Sequence, residues 1–153
     1  MKYSHYLKCF AGTILLFCVI QPFATETGSK GSIILTLVGV KSDQGGNMIA
    51  ALYEGKKGWP DLEKAFSKKE IPVTADSLTM RIDSIPYDST YAIQVIHDKN
   101  RNGKLDFRIF PFPSPKEGAG VSNNNVRNGP PLYKKATIRH FSKNTVVRII
   151  MRY

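Results

Sequence analysis

Cysteine is nearly absent from this chain, and the two residues it has, Cys9 and Cys18, both stand near the start. If that segment is removed, the remainder has no disulfide, no thiol nucleophile and no thiolate metal site. Stability then rests on packing, hydrogen bonds and any ion the chain holds. Acidic side chains are also few, 12 Asp and Glu against 22 Lys and Arg in 153 residues, a formal charge of +10. The chain contains no nucleophile elbow, no glycine-rich phosphate loop and no zinc-protease pattern. It also lacks a nucleic-acid reading motif, so nucleic acid is not expected as a partner. The basic excess is then either a solvated surface or an attraction to an anionic partner such as acidic polysaccharide or lipid head groups. Helical signals are sparse, and neither an internal repeat nor a second domain is visible.

One apolar run is present, from Phe10 to Ile20, preceded by Lys2 and Lys8. It is too short to span a bilayer comfortably and has the layout of a secretory signal. Cleavage is expected after Ala24, giving a signal peptide over 1–24 and a single domain over 25–153. Export to the periplasm or the extracellular space follows, with no transmembrane span in the mature chain and a monomeric state. An uncleaved anchor is the alternative. Cys18 invites a lipoprotein reading, but Phe17 stands where a small residue belongs, which disfavours lipidation. Removal of the segment takes two lysines and no acid, leaving 20 basic against 12 acidic residues.

Along the domain, apolar periodicity points to strands. Residues 33–38 are β-branched and apolar on both faces, as in an interior strand. Turn residues over 41–47 and a second strand from Met48 to Tyr53 suggest a hairpin. Pro60 can open a short helix, with Leu62, Ala65 and Phe66 on one side. Trp59 beside it reads as a packing anchor. An edge strand over 71–75 follows, Pro72 barring it from a central place. Leu78, Met80 and Ile82 alternate with polar residues. In the next strand, Tyr91, Ile93, Val95 and His97 share one face. Residues 107–133, rich in proline and glycine, form a long irregular loop, a feature that is often functional. Two more strands, over 136–140 and 146–152, close the chain. The fold expected is all-β, an antiparallel sandwich of seven strands with one short helix.

Between the strand ending at His97 and the irregular loop lies Asp98-Lys99-Asn100-Arg101-Asn102-Gly103-Lys104-Leu105-Asp106. Asp98, Asn100 and Asn102 take the first, third and fifth places of a calcium loop, Gly103 the sixth and Asp106 the ninth. Alternate side-chain oxygens can point inward, glycine takes the sharp bend, and the carbonyl of Lys104 can face the ion. The twelfth place holds Ile109 instead of a bidentate glutamate. These contacts number about five, where six to eight are usual. Glu117, the next acid in sequence, is therefore the candidate to complete a metal set of Asp98, Asn100, Asn102, Lys104, Asp106 and Glu117. With so few carboxylates and with Lys99, Arg101 and Lys104 nearby, calcium affinity is expected on the order of 0.1 to 1 mM, a weak structural role. The same residues can equally form a metal-free turn that bonds its own backbone.

Three further readings concern the surroundings. Lys116, Ser122, Asn123 and Asn124 carry groups suited to sugar hydroxyls or anions and are candidates for a surface that meets an envelope glycan or a protein; they can equally be a self-bonded loop. A hydrolase using His97 and Glu117 is an alternative, although His97 and Asp98 point to opposite faces of a strand. A carrier of a small apolar ligand between the sheets is another. The leading expectation is a non-enzymatic exported protein, with no catalytic residue and no cofactor beyond calcium.

The run from Tyr91 to Asp98 through Asn100, Asn102-Gly103-Lys104-Leu105-Asp106, then Pro115-Lys116-Glu117-Gly118, Gly120-Val121-Ser122-Asn123-Asn124 and Gly129-Pro130-Pro131, resembles a secreted bacterial domain-of-unknown-function family, DUF2141. The resemblance covers nearly all of the chain after the leader. It implies an exported single domain, a sandwich similar to transthyretin-like or carboxypeptidase-regulatory modules, without an assigned activity. The chain departs from the family pattern at Asp88-Ser89-Thr90 and at Phe112-Pro113-Ser114-Pro115.

Overall fold

Alternation of apolar and polar residues decides which face of each strand is buried, and the strands of this protein sort by it into two sheets. The computed structural model describes residues 29–125 and 129–153. The expected signal peptide and its cleavage lie outside the described residues.

The first sheet has three strands. β1 (Lys30–Val38) lies in the middle, antiparallel to β4 (Ser77–Pro86) and parallel to β10 (Asn144–Ile150). The second sheet runs β3 (Ser67–Pro72), β2 (Asn47–Tyr53), β5 (Ser89–Asp98), β8 (Ala119–Val121), and β9 (Thr137–His140) also pairs with β5. A small ribbon of β6 (Phe107–Arg108) and β7 (Ser114–Pro115) stands apart. A single α-helical turn, α1 (Tyr133–Ala136), precedes β9.

The all-β expectation holds, with three corrections of detail. Ten strands stand among the described residues where seven were expected. The β1–β10 pair is parallel, so the fold is not antiparallel throughout. β1 and β2 do not form a hairpin, because the chain crosses at 39–46 from one sheet to the other. The two edges of β1 are taken by β4 and β10 instead, and β2 pairs with β3 and β5.

That core lies between the sheets. Ile33, Leu35 and Leu37 of β1, Met80 and Ile82 of β4 and Ile149 of β10 meet Met48, Ala50 and Leu52 of β2 and Tyr91, Ile93 and Val95 of β5. β2 is buried on both faces, and its other side packs Ile49, Ala51 and Tyr53 with Ile96 under Leu62, Trp59 and Tyr133. The segment after β2 therefore serves as a cover for the outer face of the second sheet. Trp59 meets Tyr53 and Tyr133 edge-on at 5.0 and 6.0 Å, and its indole N–H donates to the carbonyl of Pro131 at 2.7 Å. The short helix expected there is one 3-10 turn, Leu62–Lys64, capped by Asp61, whose carboxylate accepts from the amide of Glu63. β3 runs from Ser67 to Pro72, earlier than expected, and Pro72 ends an edge strand where its missing N–H costs no ladder bond.

Candidate functional site

β5 carries buried side chains up to its last residue, so the chain leaves the core abruptly at Asp98. His97 and Asp98 are both fully buried. The imidazole Nε2 lies 2.5 Å from the carbonyl oxygen of Gly45, which can only accept. Nε2 therefore carries the proton, and Nδ1 accepts from the Tyr153 hydroxyl at 2.7 Å. The same hydroxyl accepts from the amide of Lys41 at 2.9 Å. Burial raises the pKa of that phenol above its ordinary value, although the Lys41 amide opposes the shift. Gly118 makes room for the Tyr153 ring, since a Cβ there would sit 2.5 Å from a ring carbon. His97 thus ties β5 to the turn before β2 and to the C-terminal residue, with both ring nitrogens engaged.

The loop after Asp98 closes on its own side chains. Asp98 accepts from the amides of Asn102 at 3.0 Å and Gly103 at 2.7 Å, one on each carboxylate oxygen. The side-chain oxygens of Asn100 and Asn102 accept from the amides two residues further on, at 3.2 and 2.9 Å. Their side-chain amides both donate to Asp106, at 2.9 Å from Asn100 and 3.2 Å from Asn102. Gly103 has φ +73°, a left-handed conformation that glycine takes without strain. The loop is also seated from outside, because a Cβ on Gly46 would collide with the backbone of Asp98 and Lys99.

Glu117 comes to this loop from the far side of the 107–115 ribbon, and it is buried. Its two oxygens accept from the amides of Lys99 at 2.9 Å and Asp106 at 3.1 Å, one at each end of the loop. The carbonyl of Asp106 in turn accepts from the amide of Lys116 at 2.8 Å, and Lys99 Nζ donates to the Lys116 carbonyl at 3.0 Å. Asp98, Asn100, Asn102, Lys104, Asp106 and Glu117 are thus brought together as one unit, held by carboxylate-to-amide bonds. Among the described residues, no group of three His, Cys, Asp or Glu side chains converges in metal-ligating geometry, and the two ion pairs, Lys64–Asp61 and Arg81–Asp83, lie elsewhere. A hard cation would have to use the free lone pairs of Asp98 and Asp106, the two Asn oxygens and backbone carbonyls.

The Ser122-Asn123-Asn124 stretch is not the open polar surface that its composition suggests. β9 pairs with β5 over Ser89–Ala92 and β8 pairs over Gln94–Ile96, which leaves Ile93 between two partners. Ser122 fills that gap: its fully buried hydroxyl accepts from the Ile93 amide at 2.9 Å and donates to the carbonyl of Ala136. Asn123 donates to the carbonyls of Lys135 and Thr137. Asn124 accepts from the Ile150 amide at 2.7 Å and donates to the Arg148 carbonyl at 3.0 Å, acting as a strand partner for the edge of β10. Asn123 and Asn124 hold φ of 60° and 50°, a region that asparagine tolerates better than most residues. These three residues sew β5, β9 and β10 together. Lys116 alone of that candidate surface is an exposed side chain outside this stitching.

Sequence reasoning did not find the open cleft beside the loop, about 870 Å³ in volume. Its lining includes Leu62, Lys104, Leu105, Phe107, Pro131 and Arg152. The signal for it was present in the proline-rich irregular loop, but not which residues would face one another. Between the sheets, where the carrier reading puts its ligand, apolar side chains of both sheets meet in one cluster.

The family resemblance can be put to a direct comparison. Residues 35–148 match the family described as "Uncharacterized protein conserved in bacteria (DUF2141)". The chain belongs to DUF2141. The match spans β1 to β10 and includes the loop, Glu117 and the Ser-Asn-Asn stitch, so the site of this DUF2141 protein is part of its family domain. No curated protein and no solved structure matches the chain. Among the described residues, no helix is long and apolar enough to cross a membrane.

Proposed function

We propose that this DUF2141 chain is an exported, non-enzymatic binding protein in which the 98–106 loop takes a weakly held structural calcium ion and so orders the wall of the neighbouring cleft. The observation that carries the reading is the gathering of Asp98, Asp106 and Glu117 at one loop, the first and last of them buried, with no ion pair to any of the three among the described residues. Buried carboxylates without a counter-charge are costly, and a divalent cation relieves that cost. Glu117 accepts from the amides at both ends of the loop, so its part in this reading is to hold the nine residues closed around the ion. The ion's role would be to hold Lys104–Phe107 against the cleft. An envelope glycan or a protein segment is the proposed occupant, suited to an open cleft lined largely by proline and apolar side chains with Asn124 and Arg152 as polar contacts.

A non-enzymatic role is favoured over a hydrolase because the nitrogens of His97, both oxygens of Glu117 and the hydroxyl of Ser122 are all spent on structural bonds. The two sheets are read as an immunoglobulin- or transthyretin-like sandwich, supported by the shared core and departing from it in the parallel β1–β10 pair. Thermal unfolding with chelator and then with several millimolar calcium tests the proposal, since a ligand that binds only the native state raises its melting temperature. A calcium-dependent rise that Asp98→Ala removes is expected. An identical melt in both conditions would refute the calcium site.

A further inference from the structure

The ribbon that follows the loop presents the most exposed apolar side chains among the described residues. β6 and β7 pair only through Phe107 with Pro115 and Arg108 with Ser114, and residues 109–113 form the tip. Ile109, Phe110 and Phe112 are 83, 84 and 78% exposed. None of the three lines the cleft, which takes Phe107 and Pro113 instead. Three large apolar side chains on one tip form a patch of the kind that marks an interaction surface. Pro111 and Pro113 have no N–H, so the tip has few backbone donors to strip of water on entering an apolar phase.

Cations outnumber acids around the tip, and the two acids that flank the stretch, Asp98 and Glu117, are buried. Lys99, Arg101, Lys104, Arg108 and Lys116 stand within residues 99–116 against the single acid Asp106, and its carboxylate is occupied by Asn100 and Asn102. None of the five cations takes part in an ion pair among the described residues. An apolar, aromatic tip close in sequence to several cations outside any ion pair matches the boundary between acyl chains and phosphates, where aromatic rings settle and Lys and Arg meet anionic head groups.

We propose that the 107–115 ribbon inserts its tip into the interfacial layer of an anionic lipid bilayer, with Ile109, Phe110 and Phe112 among the upper acyl chains and Arg108, Lys104 and Lys116 on the phosphates. The insertion does not depend on the calcium reading.

The test uses the full chain carrying Phe110→Trp, mixed with vesicles of phosphatidylcholine alone or of phosphatidylcholine with phosphatidylglycerol. The difference from the wild-type spectrum separates the new indole from Trp59, and brominated acyl chains report its depth. A blue shift and quenching at position 110 are expected with the anionic vesicles, and both should weaken as salt is added. Adding Phe112→Ser should weaken partitioning by roughly tenfold. Arg108→Gln should weaken it by about fivefold on anionic vesicles only. All these positions are exposed, so an unchanged melting curve will confirm that the fold is intact. The proposal is overturned if position 110 is not quenched even when the chain sediments with the vesicles, for the chain is then held by another segment. It is equally overturned if the tip joins two copies in solution, seen as a size-exclusion shift that Phe112→Ser reverses, with no spectral change on vesicles.

Discussion

Replacing Glu117 by alanine removes the one side chain that grips both ends of the 98–106 loop. Its carboxylate accepts two backbone amides, Lys99 at 2.9 Å and Asp106 at 3.1 Å, from a buried position. Hydrogen bonds to a charged group are worth about 1.5–3 kcal/mol each, so losing both costs roughly 3–6 kcal/mol. Part is regained because a buried charge is no longer desolvated, leaving a net loss of about 3 kcal/mol. For a domain of this size that corresponds to a fall in melting temperature of about 10 °C. Glu117→Gln keeps the shape and one acceptor but turns an NH₂ towards an amide N–H, and should cost about half as much. Thermal unfolding gives the totals. Amide hydrogen exchange gives the location: Lys99 and Asp106 should lose protection beyond the global change, while Val95 and Ile96 should follow it. A Glu117→Gln protein that melts as the wild type does, with both amides still protected, would refute the clamp.

Three other perturbations report on the scaffold. Ser122→Ala strands the Ile93 amide in the gap between β8 and β9 and should cost about 2–3 kcal/mol, read by denaturant unfolding. Tyr153→Phe removes the hydroxyl that serves both His97 and Lys41, and a loss of about 1–2 kcal/mol is expected in the same assay. Burial raises the pKa of Tyr53, Tyr91 and Tyr153. Because the folded values lie above the unfolded value of about 10, the unfolded chain ionises first, and stability present below about pH 10 should fall as the pH rises beyond it. Melting temperatures measured across that range check the sign, and a flat profile would contradict it.

The strand faces were legible because alternation reports burial directly: Tyr91, Ile93 and Val95 face the main core as their spacing indicates, and Ile96 faces the outer cluster. Sheet membership was not, since the 39–46 crossing depends on which strand pairs β1 across the chain, and β10 lies over a hundred residues away in sequence. Local pattern carries no information about such a partner. The loop was readable as a closed unit from the spacing of Asp98, Asn100, Asn102, Gly103 and Asp106, because Asx side chains reach only a few residues along the chain. Glu117 was placed beside it by counting missing oxygens, and the structure does bring it there, onto backbone amides. The Ser122-Asn123-Asn124 stretch misled because composition alone cannot tell a polar group that faces water from one that replaces a missing ladder bond. The gap at Ile93 that Ser122 fills exists only once β8 and β9 have both docked on β5.

A calcium titration followed through the amide signals of Asn102 and Gly103, the two N–H groups that Asp98 holds, tests the central claim most directly. A structural calcium site gives saturable shifts confined to the loop and its clamp, with a dissociation constant on the order of 0.1 to 1 mM, abolished by Asp98→Ala. Signals that stay in place through several millimolar calcium would contradict it and leave the loop as a turn closed by its own side chains.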